Sequence, residues 1–260
     1  MIFFDIDGTL LDNDSGLVPQ STVRALKQAK ENGHLIFLCT GRCKAIWPKE
    51  IVEIGFDGMV AGCGTTVYYR GEKILHARLE QGLQRQIAED MVKYHVDGVL
   101  EGEEYCYFSR GRFLPVIHQI YEDNGRFFGG DCQRIFQDEE QLYYDKFTLW
   151  FDETGDVDGF KEKYEKDFEF IRRAADFYEI VPKGYSKATG IELLCRTTGI
   201  DRAHTIGVGD STNDLAMLQY TGISVAMGNG DPALFSQVDY VTAGVSEDGI
   251  EKALKKYNII

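Results

Sequence analysis

The sequence lacks the features that define several classes of protein. It has no run of about 18 apolar residues that could cross a bilayer, and it has no internal repeat or low-complexity tract. The first apolar stretch, Met1 to Phe4, stops at Asp5 without a basic flank or a long apolar segment, so it is unlike a signal peptide. With 43% hydrophobic and 27% charged residues, the chain is expected to be a globular cytoplasmic protein without a membrane partner.

Positive charge is scarce. The chain has 28 Lys and Arg residues against 42 Asp and Glu residues, which gives a net charge of -14. Because affinity for nucleic acid comes largely from neutralisation of phosphates by Lys and Arg, we do not expect a nucleic-acid partner. The same charge repels small anionic substrates unless a cation or a local positive patch reverses the field. Nothing in the sequence indicates an oligomeric state.

Cysteine motifs are also absent. The six cysteines form no C-x-x-C pair and have no His cluster nearby, so neither a zinc site nor a disulfide framework is indicated, and reduced, mostly buried thiols are expected. No G-x-G-x-x-G follows the first strand, which argues against a dinucleotide-binding domain.

The first 62 residues alternate between strand and helix patterns. "MIFF", "HLIFLCT" and "GMVAG" are typical of buried strands. The stretch "STVRALKQAKENG" predicts a helix with Ser21 as its N-cap and Gly33 just beyond its end. "CKAIWPKEIVEIG" predicts a second helix that Pro48 disturbs. This βαβαβ order indicates a parallel sheet covered on both faces.

The middle of the chain follows another pattern. After a hairpin predicted to turn at Arg70-Gly71, helical stretches alternate with aromatic-rich strands such as "YCYFS", "KFTLWF" and "FEFIRR". The first pattern then resumes with a helix from Lys187 to Thr198, the strand "HTIGVG", a helix beginning near Thr212, the strands "ISVAM" and "VDYVT", and a final helix. We therefore predict an α/β protein with a three-layer, Rossmann-like parallel sheet core, residues 1–81 and 184–260, and an inserted second α/β domain, residues 82–183.

Polar residues cluster where the strands of the predicted sheet end. In an open parallel sheet, ligands bind beyond the carboxyl ends of the strands. The clusters are Asp5–Thr9, Thr40–Arg42, Lys187 and Gly209–Asp214. Each cluster alone is compatible with a turn or a helix cap, but together they supply more polar groups than capping needs. Lys187, in a first helical turn, opposes the helix macrodipole, so a negative group is expected beside it.

The acidic residues of these clusters indicate a cation. Asp5, Asp7, Asp210 and Asp214 would repel one another on one rim unless a hard cation joined them, and Mg²⁺ prefers such oxygen ligands. With Lys187 and nearby backbone N–H groups, Mg²⁺ would create a cationic pocket for a phosphate on an otherwise acidic protein.

These motifs resemble those of a known superfamily. "DIDGTL", "LCTGR", Lys187 and "GDSTND", in this order and with a large insertion between the second and third, are similar to the haloacid dehalogenase (HAD) superfamily of phosphohydrolases. The position of the insertion and the strings "PKGYSKATGI" and "GDSTNDLAML" resemble the Cof-type sugar-phosphatase-like branch, which has a large α/β cap. The resemblance covers the whole chain and implies a HAD-like core with a cap that determines substrate specificity.

The resemblance also implies roles for individual residues. Asp5 would be the nucleophile that becomes an aspartyl-phosphate, and Asp7 the general acid that later activates water as a base. Mg²⁺ would be held by Asp5, the backbone carbonyl of Asp7 and the side chain of Asp210, while Asp214 orients these ligands. The expected substrate or phosphate contacts are Thr40, Gly41, Lys187 and Asn213.

The chain departs from the branch at two positions. Cys63 stands where an Asn is usual, and Gly228-Asn229-Gly230 replaces a Gly-Asn-Ala string. Substrate contacts in the cap are less specific, because aromatic residues at strand spacing usually build a core. The candidates there are Arg110, Arg112, His118 and Arg126, among Tyr105, Tyr107, Phe127 and Phe128.

Three activities are compatible with the motifs. The first is Mg²⁺-dependent hydrolysis of a small phosphorylated metabolite, and the second is a phosphomutase or phosphotransferase of the same superfamily. The third is a phospho-acceptor or phospho-ligand sensor without turnover, as in receiver domains. The large insertion and the acid/base group offered by Asp7 favour an enzyme over a sensor.

Overall fold

The chain folds into two units whose residues are interleaved along the sequence. The computed structural model describes all residues from 1 to 260. The first unit contains residues 1–41, 49–75 and 186–260, and the second contains residues 42–48 and 76–185. The helices number eight and the strands fourteen, and we label them α1–α8 and β1–β14 in chain order.

The first unit is built on an eight-stranded sheet. The strands of this sheet are β1 (Ile2–Phe4), β2 (Ile36–Cys39), β3 (Gly58–Ala61), β4 (Thr66–Tyr69), β5 (Glu72–His76), β12 (Ile206–Gly209), β13 (Ile223–Ala226) and β14 (Tyr240–Val241). Their order is β14-β13-β12-β1-β2-β3-β4-β5, and the pairs from β14 to β3 are parallel. The chain proceeds from β1 to β2 on one side and returns to β12 on the other, which creates a topological switch point beside β1.

Burial explains the composition of the central strands. Every residue of β1, β2 and β12 is buried, as expected for parallel strands covered on both faces. The helices of this unit are α1 (Gln20–Glu31), α2 (Lys49–Glu53), α6 (Lys187–Thr198), α7 (Leu215–Tyr220) and α8 (Gly249–Lys256). On one side, the core is formed by Phe3, Phe37, Val60, Ile191 and Met217, among others.

The second unit has a six-stranded sheet with the order β10-β11-β9-β6-β7-β8. Its strands are β6 (Asp97–Glu101), β7 (Cys106–Phe108), β8 (Gln133–Ile135), β9 (Lys146–Trp150), β10 (Phe168–Ala174) and β11 (Phe177–Pro182), and its helices are α3 (Gln81–Lys93), α4 (Pro115–Phe128) and α5 (Val157–Tyr164). Successive strand residues face opposite sides, so Leu100 packs with α3 and α5 while Val99 packs with Ile117 of α4. The sheet is thus covered by helices on both faces.

Most of the predicted elements are confirmed. The helix from Lys187 to Thr198 has the predicted bounds, with Ser186 and Thr189 forming a capping box at its start. The hairpin turns at Arg70-Gly71, where both residues have a positive φ, 50° and 82°, as a type I′ turn requires. The α/β class and the parallel core are confirmed as well.

Two local predictions were wrong. Ser21 does not cap α1: Pro19 occupies the N-cap position, and Ser21 lies buried inside the helix with its hydroxyl unpaired. The helix predicted around Pro48 is a 3-10 turn, Lys44–Ile46, followed by the five-residue α2. Proline lacks the N–H that would continue a helix, so α2 begins immediately after Pro48.

The boundaries of the units also differ from those predicted. Residues 42–48, 76–81 and 184–185 belong to the second unit, although the sequence assigned them to the core. Residues 42–48 belong there because Cys43 and Ile46 pack with Cys106 and other apolar residues of that unit.

Among the helices of this structure, none combines the length and the apolar character that a membrane span requires.

Candidate active site

The strands of the first unit deliver the acidic residues to one edge. Phe4 is level with Val208 of β12 and with Leu38 of β2, so Asp5 follows β1 beside the ends of both neighbours. The amide of Asp5 donates to the carbonyl of Val208 at 3.0 Å, which fixes this position. Asp210 follows β12 directly. The carboxyl ends of adjacent parallel strands therefore place these acids together, as predicted.

Lys187 lies between two of the carboxylates. Its Nζ is 2.7 Å from Oδ1 of Asp5 and 2.5 Å from Oδ1 of Asp214, and the lysine is 2% exposed. Burial lowers the pKa of Lys187, but Asp214 and Asp5 outweigh this effect and hold it well above its ordinary value. The negative group expected beside Lys187 is therefore present twice, and it keeps the lysine protonated.

Asp214 uses both of its carboxylate oxygens to organise the loop after β12. Oδ1 accepts from Lys187, while Oδ2 accepts from the amides of Asp210 and Ser211 at 3.0 and 3.1 Å. The residue is fully buried. A Cβ at Gly209 would come 2.5 Å from Cγ of Asp214, so only glycine lets this side chain fold back against the strand end.

The loop that follows β1 holds the side chain of Asp210 in place. Oδ1 of Asp210 accepts from the hydroxyl of Thr9 at 3.2 Å. Gly8 has φ +72°, and a Cβ there would come 2.3 Å from Oδ2 of Asp210, so glycine is required by both the backbone angle and the contact. Burial, and next the charge of Asp214, raise the pKa of Asp210 to about 7.

The carboxylates meet the requirements of a divalent cation. One oxygen from each of Asp5, Asp210 and Asp214 lies within 4.8 Å of the others. Burial and the Asp214 charge also raise the pKa of Asp5 well above its ordinary value, despite the opposing effect of Lys187. Three buried or half-buried carboxylates thus face one buried ammonium, and an oxygen-preferring cation would balance the excess negative charge. The donor set fits Mg²⁺.

The other predicted residues lie at the same edge or close to it. Ile6 is fully buried, and Asp7 is half-buried in the turn that follows it. Thr40 is buried at the end of β2, where its amide donates to the carbonyl of Val60 and its carbonyl accepts from Cys63, and Gly41 comes next. Asn213 is half-buried and accepts a hydrogen bond from the Ser211 hydroxyl through Oδ1 at 2.6 Å.

Two positioning residues were missed by sequence reasoning. Thr9 was included in the polar cluster Asp5–Thr9 without a role of its own, yet its hydroxyl holds Asp210. Asn229 donates from Nδ2 to the carbonyl of Gly8 at 2.8 Å, and its Oδ1 accepts from the amide of Val245 at 2.8 Å. Asn229 therefore ties the loop after β13 to the loop that carries Asp7. Its place within the Gly-Asn-Gly string was the available signal.

The two departures from the branch differ in how well they suit the local backbone. Cys63 has φ 56° and ψ 33°, a left-handed conformation that Asn adopts more readily than Cys. At Gly230 a Cβ would lie 2.4 Å from the carbonyl oxygen of Asp210, so this backbone accommodates glycine better than alanine.

The candidate residues of the second unit have structural partners of their own. Arg110 forms an exposed ion pair with Asp138, and the guanidinium of Arg112 lies 4.1 Å from the ring centroid of Tyr121. Tyr107 is buried in the main apolar cluster of that unit, whereas Phe127 is 65% exposed. A role for any of them in substrate binding stays a prediction.

The sequence matches a known family over nearly its whole length. Residues 2–254 match the family model described as haloacid dehalogenase-like hydrolase. The chain belongs to this family. One of its relatives is YkrA of Bacillus subtilis (strain 168), which is provisionally named a phosphatase. The two sequences are 28% identical over 277 residues, and the alignment covers 100% of this chain and 98% of YkrA.

Solved structures agree with this assignment. The HAD subclass IIB sugar phosphatase BT4131 superposes with a TM-score of 0.82 at 30% identity, covering 100% of this hydrolase and 99% of that chain. A Geobacillus kaustophilus protein superposes with a TM-score of 0.85 at 28% identity, covering 100% and 98% of the two chains. The predicted resemblance is confirmed, and the enzyme is a phosphatase of the HAD type.

Proposed function

We propose that this HAD-type phosphatase hydrolyses phosphate monoesters of small metabolites, with Mg²⁺ as its cofactor and an aspartyl-phosphate on Asp5 as its intermediate. The observation that carries the proposal is the placement of Asp5, Lys187, Asp214 and Asp210 at the ends of β1 and β12. Phosphoryl transfer depends mainly on positioning and on neutralising the charge of the moving group, and this arrangement supplies both.

In the first step, a carboxylate oxygen of Asp5 attacks phosphorus. A bond forms between this oxygen and phosphorus, the ester P–O bond breaks, and Asp7 donates a proton to the departing alkoxide. The buried Ile6 between the two acids lets both carboxylates flank the strand end. Asp5 is held rigidly at 2.7 Å from Lys187, whereas the half-buried Asp7 has room to reach the leaving group.

In the second step, the ionised Asp7 accepts a proton from water as the water oxygen attacks phosphorus. The bond between Asp5 and phosphorus breaks, inorganic phosphate leaves, and the carboxylate of Asp5 is regenerated. Lys187, the Thr40 hydroxyl, the backbone N–H of Gly41 and Asn213 would hold the phosphoryl oxygens during both steps.

Mg²⁺ would be held by the side chains of Asp5 and Asp210 and by the backbone carbonyl of Asp7. When bound, it neutralises charge on the transferring phosphoryl group and on the carboxylates around it. Asp214 would not need to be a direct ligand, because both of its oxygens already accept hydrogen bonds from Lys187 and from backbone amides. Its proposed role is to position the loop that carries Asp210.

The substrate is proposed only as a class. A sugar phosphatase is among the structural neighbours, while YitU of Bacillus subtilis, 25% identical, is a 5-amino-6-(5-phospho-D-ribitylamino)uracil phosphatase. A phosphoglycolate phosphatase of Methanobrevibacter smithii is also 25% identical. The different names of these relatives single out no one substrate. We propose a phosphorylated small molecule of the sugar-phosphate kind, because the sugar phosphatase has the higher identity, 30%. A cytoplasmic location stays a prediction.

The test is a phosphate-release screen over many phosphate monoesters, with Mg²⁺ or with EDTA. We expect release with Mg²⁺, none with EDTA and none with the Asp5→Asn variant, which keeps the shape of the side chain but removes the nucleophile. A substrate with isotopically chiral phosphorus should show retention of configuration, because two successive displacements each invert it. Net inversion would indicate direct attack by water and refute the intermediate, and phosphate recovered on a second substrate hydroxyl would indicate a phosphomutase.

A further inference from the structure

Two cysteines of the second unit lie side by side. Sγ of Cys43 is 3.6 Å from Sγ of Cys106, and both residues are free thiols in the apolar cluster beneath α4. They are 63 positions apart in the sequence, so the fold and not the local chain brings them together. Cys132 differs, because its thiol donates to the carbonyl of Gly129 at 2.9 Å.

The segment that carries Cys43 is held to the second unit by non-covalent contacts. Lys44 forms an ion pair with Glu103 at 3.3 Å, and Ala45 and Ile46 pack against the same cluster as Cys43. The chain enters this segment directly after Thr40 and Gly41 and leaves it at Pro48 to begin α2. A covalent link from Cys43 would therefore restrain the residues that follow the proposed phosphate-binding loop.

We propose that Cys43 and Cys106 are a site of reversible oxidation, and that a disulfide between them fixes residues 42–48 to β7. A disulfide has an S–S distance of about 2.05 Å, so the two sulfurs must approach by about 1.5 Å to form the bond. Apart from an oxidant, no ligand, metal or second chain is needed.

The oxidant would be a small peroxide. The thiol of Cys43 is oxidised to a sulfenic acid, while hydrogen peroxide is reduced to water. The sulfur of Cys106 then attacks the sulfenic sulfur, so that an S–S bond forms and the S–O bond breaks. The oxygen leaves as hydroxide, takes the proton of the Cys106 thiol and becomes a second water. Two thiols are thus oxidised for one peroxide reduced.

The order of the two steps follows from the surroundings of the sulfurs. Cys43 is 5% exposed and Cys106 is fully buried, so the peroxide reaches Cys43 first. The contact with Cys43, and burial next, raise the pKa of Cys106, which keeps it a thiol and disfavours its direct reaction with the peroxide. The buried pair is consequently protected from larger oxidants and responds to small ones.

The experiment uses the intact protein treated with hydrogen peroxide, then alkylated, digested without reductant and analysed by mass spectrometry. We expect a peptide pair linked through Cys43 and Cys106, and a fall in free thiols from six to four on denaturation. The link should disappear in Cys43→Ser and in Cys106→Ser and persist in Cys195→Ser, whose cysteine lies in the first unit. The Cys43→Ser variant tests the same link if the buried Cys106→Ser variant fails to fold. Persistence of both thiols, or a link to another cysteine, would overturn the proposal.

An effect on catalysis rests on the proposed function. The linked enzyme should release phosphate at least about ten-fold more slowly, because restraint beside Gly41 misplaces the phosphate contacts. Dithiothreitol, which reduces the disulfide, should restore the rate. Unchanged turnover in fully linked protein would overturn this consequence. If the link forms but neither redox state releases phosphate from any ester, the proposed function fails while the oxidation site stands.

Discussion

Replacing Lys187 with methionine removes the positive charge at the centre of the site and nearly preserves the length of the side chain. At an effective dielectric constant of about 20, opposite unit charges 2.7 Å apart attract by about 6 kcal/mol, and Lys187 has two such partners, Asp5 and Asp214. Desolvation of the buried ions offsets most of this attraction. The substitution nevertheless leaves two buried carboxylates without a counter-charge. Comparable cases lose about 3–5 kcal/mol of unfolding free energy.

The assay is urea unfolding of the metal-free protein in EDTA, followed by circular dichroism. We expect Lys187→Met to lower the unfolding free energy by about 3–5 kcal/mol, and the exposed control Lys252→Met to change it by less than about 0.5 kcal/mol. Lys187→Met should also abolish phosphate release.

A double-mutant cycle tests the stated cause. Burial, and next the charge of Asp214, raise the pKa of Asp5, and the neutral amide of Asp5→Asn avoids both costs. The double variant Asp5→Asn with Lys187→Met should therefore be more stable than Lys187→Met alone. The coupling should be at least about 1 kcal/mol, within the range seen for contacting residues. Additive effects of the two substitutions, or a Lys187→Met protein as stable as the control, would refute the electrostatic reasoning.

Three further predictions follow from single contacts. Gly8→Ala should reduce phosphate release at least about ten-fold, measured at saturating Mg²⁺, because the new Cβ displaces Asp210; full activity would contradict this. Cys63→Gly should raise the unfolding free energy by about 0.5–1 kcal/mol in urea titrations, because relief of the left-handed strain at φ 56°, about 1–2 kcal/mol, exceeds the entropic cost of glycine, about 0.4–1 kcal/mol. A loss of stability would show that the packing of the thiol matters more. Burial raises the pKa of Asp90, but hydrogen bonds chiefly from Lys163 outweigh this and lower it. Asp90→Asn should therefore lower the unfolding free energy by about 1–3 kcal/mol at neutral pH. This difference between the variant and the original protein should vanish as the pH falls below 3.8 and through the depressed pKa of folded Asp90. A difference that persists in acid would contradict the ion pair with Lys163.

Local patterns in the sequence determined much of this protein. The buried strands β1 and β2 and the helix from Lys187 to Thr198 were predicted because apolar spacing and caps act over a few residues. The carboxyl ends of parallel strands meet at one edge, so the convergence of Asp5 and Asp210 could be predicted as well.

Tertiary structure decided which groups actually touch. Lys187 pairs with Asp5 across 182 positions and with Asp214 across 27, and no local pattern specifies those partners. Asn229 reaches the carbonyl of Gly8 across 221 positions. Such contacts depend on strand register and on loop conformation, which are set by the whole packed sheet.

The same distinction explains the errors. Ser21 has the chemistry of an N-cap, but α1 begins earlier, with Pro19 at the N-cap position, so Ser21 is buried in the first turn of the helix. Residues 42–48 lie between two elements of the first unit, yet they belong to the second because Cys43 and Ile46 bury their apolar surface against it. Sequence fixes which residues prefer burial, and only the folded chain determines the surface on which each of them is buried.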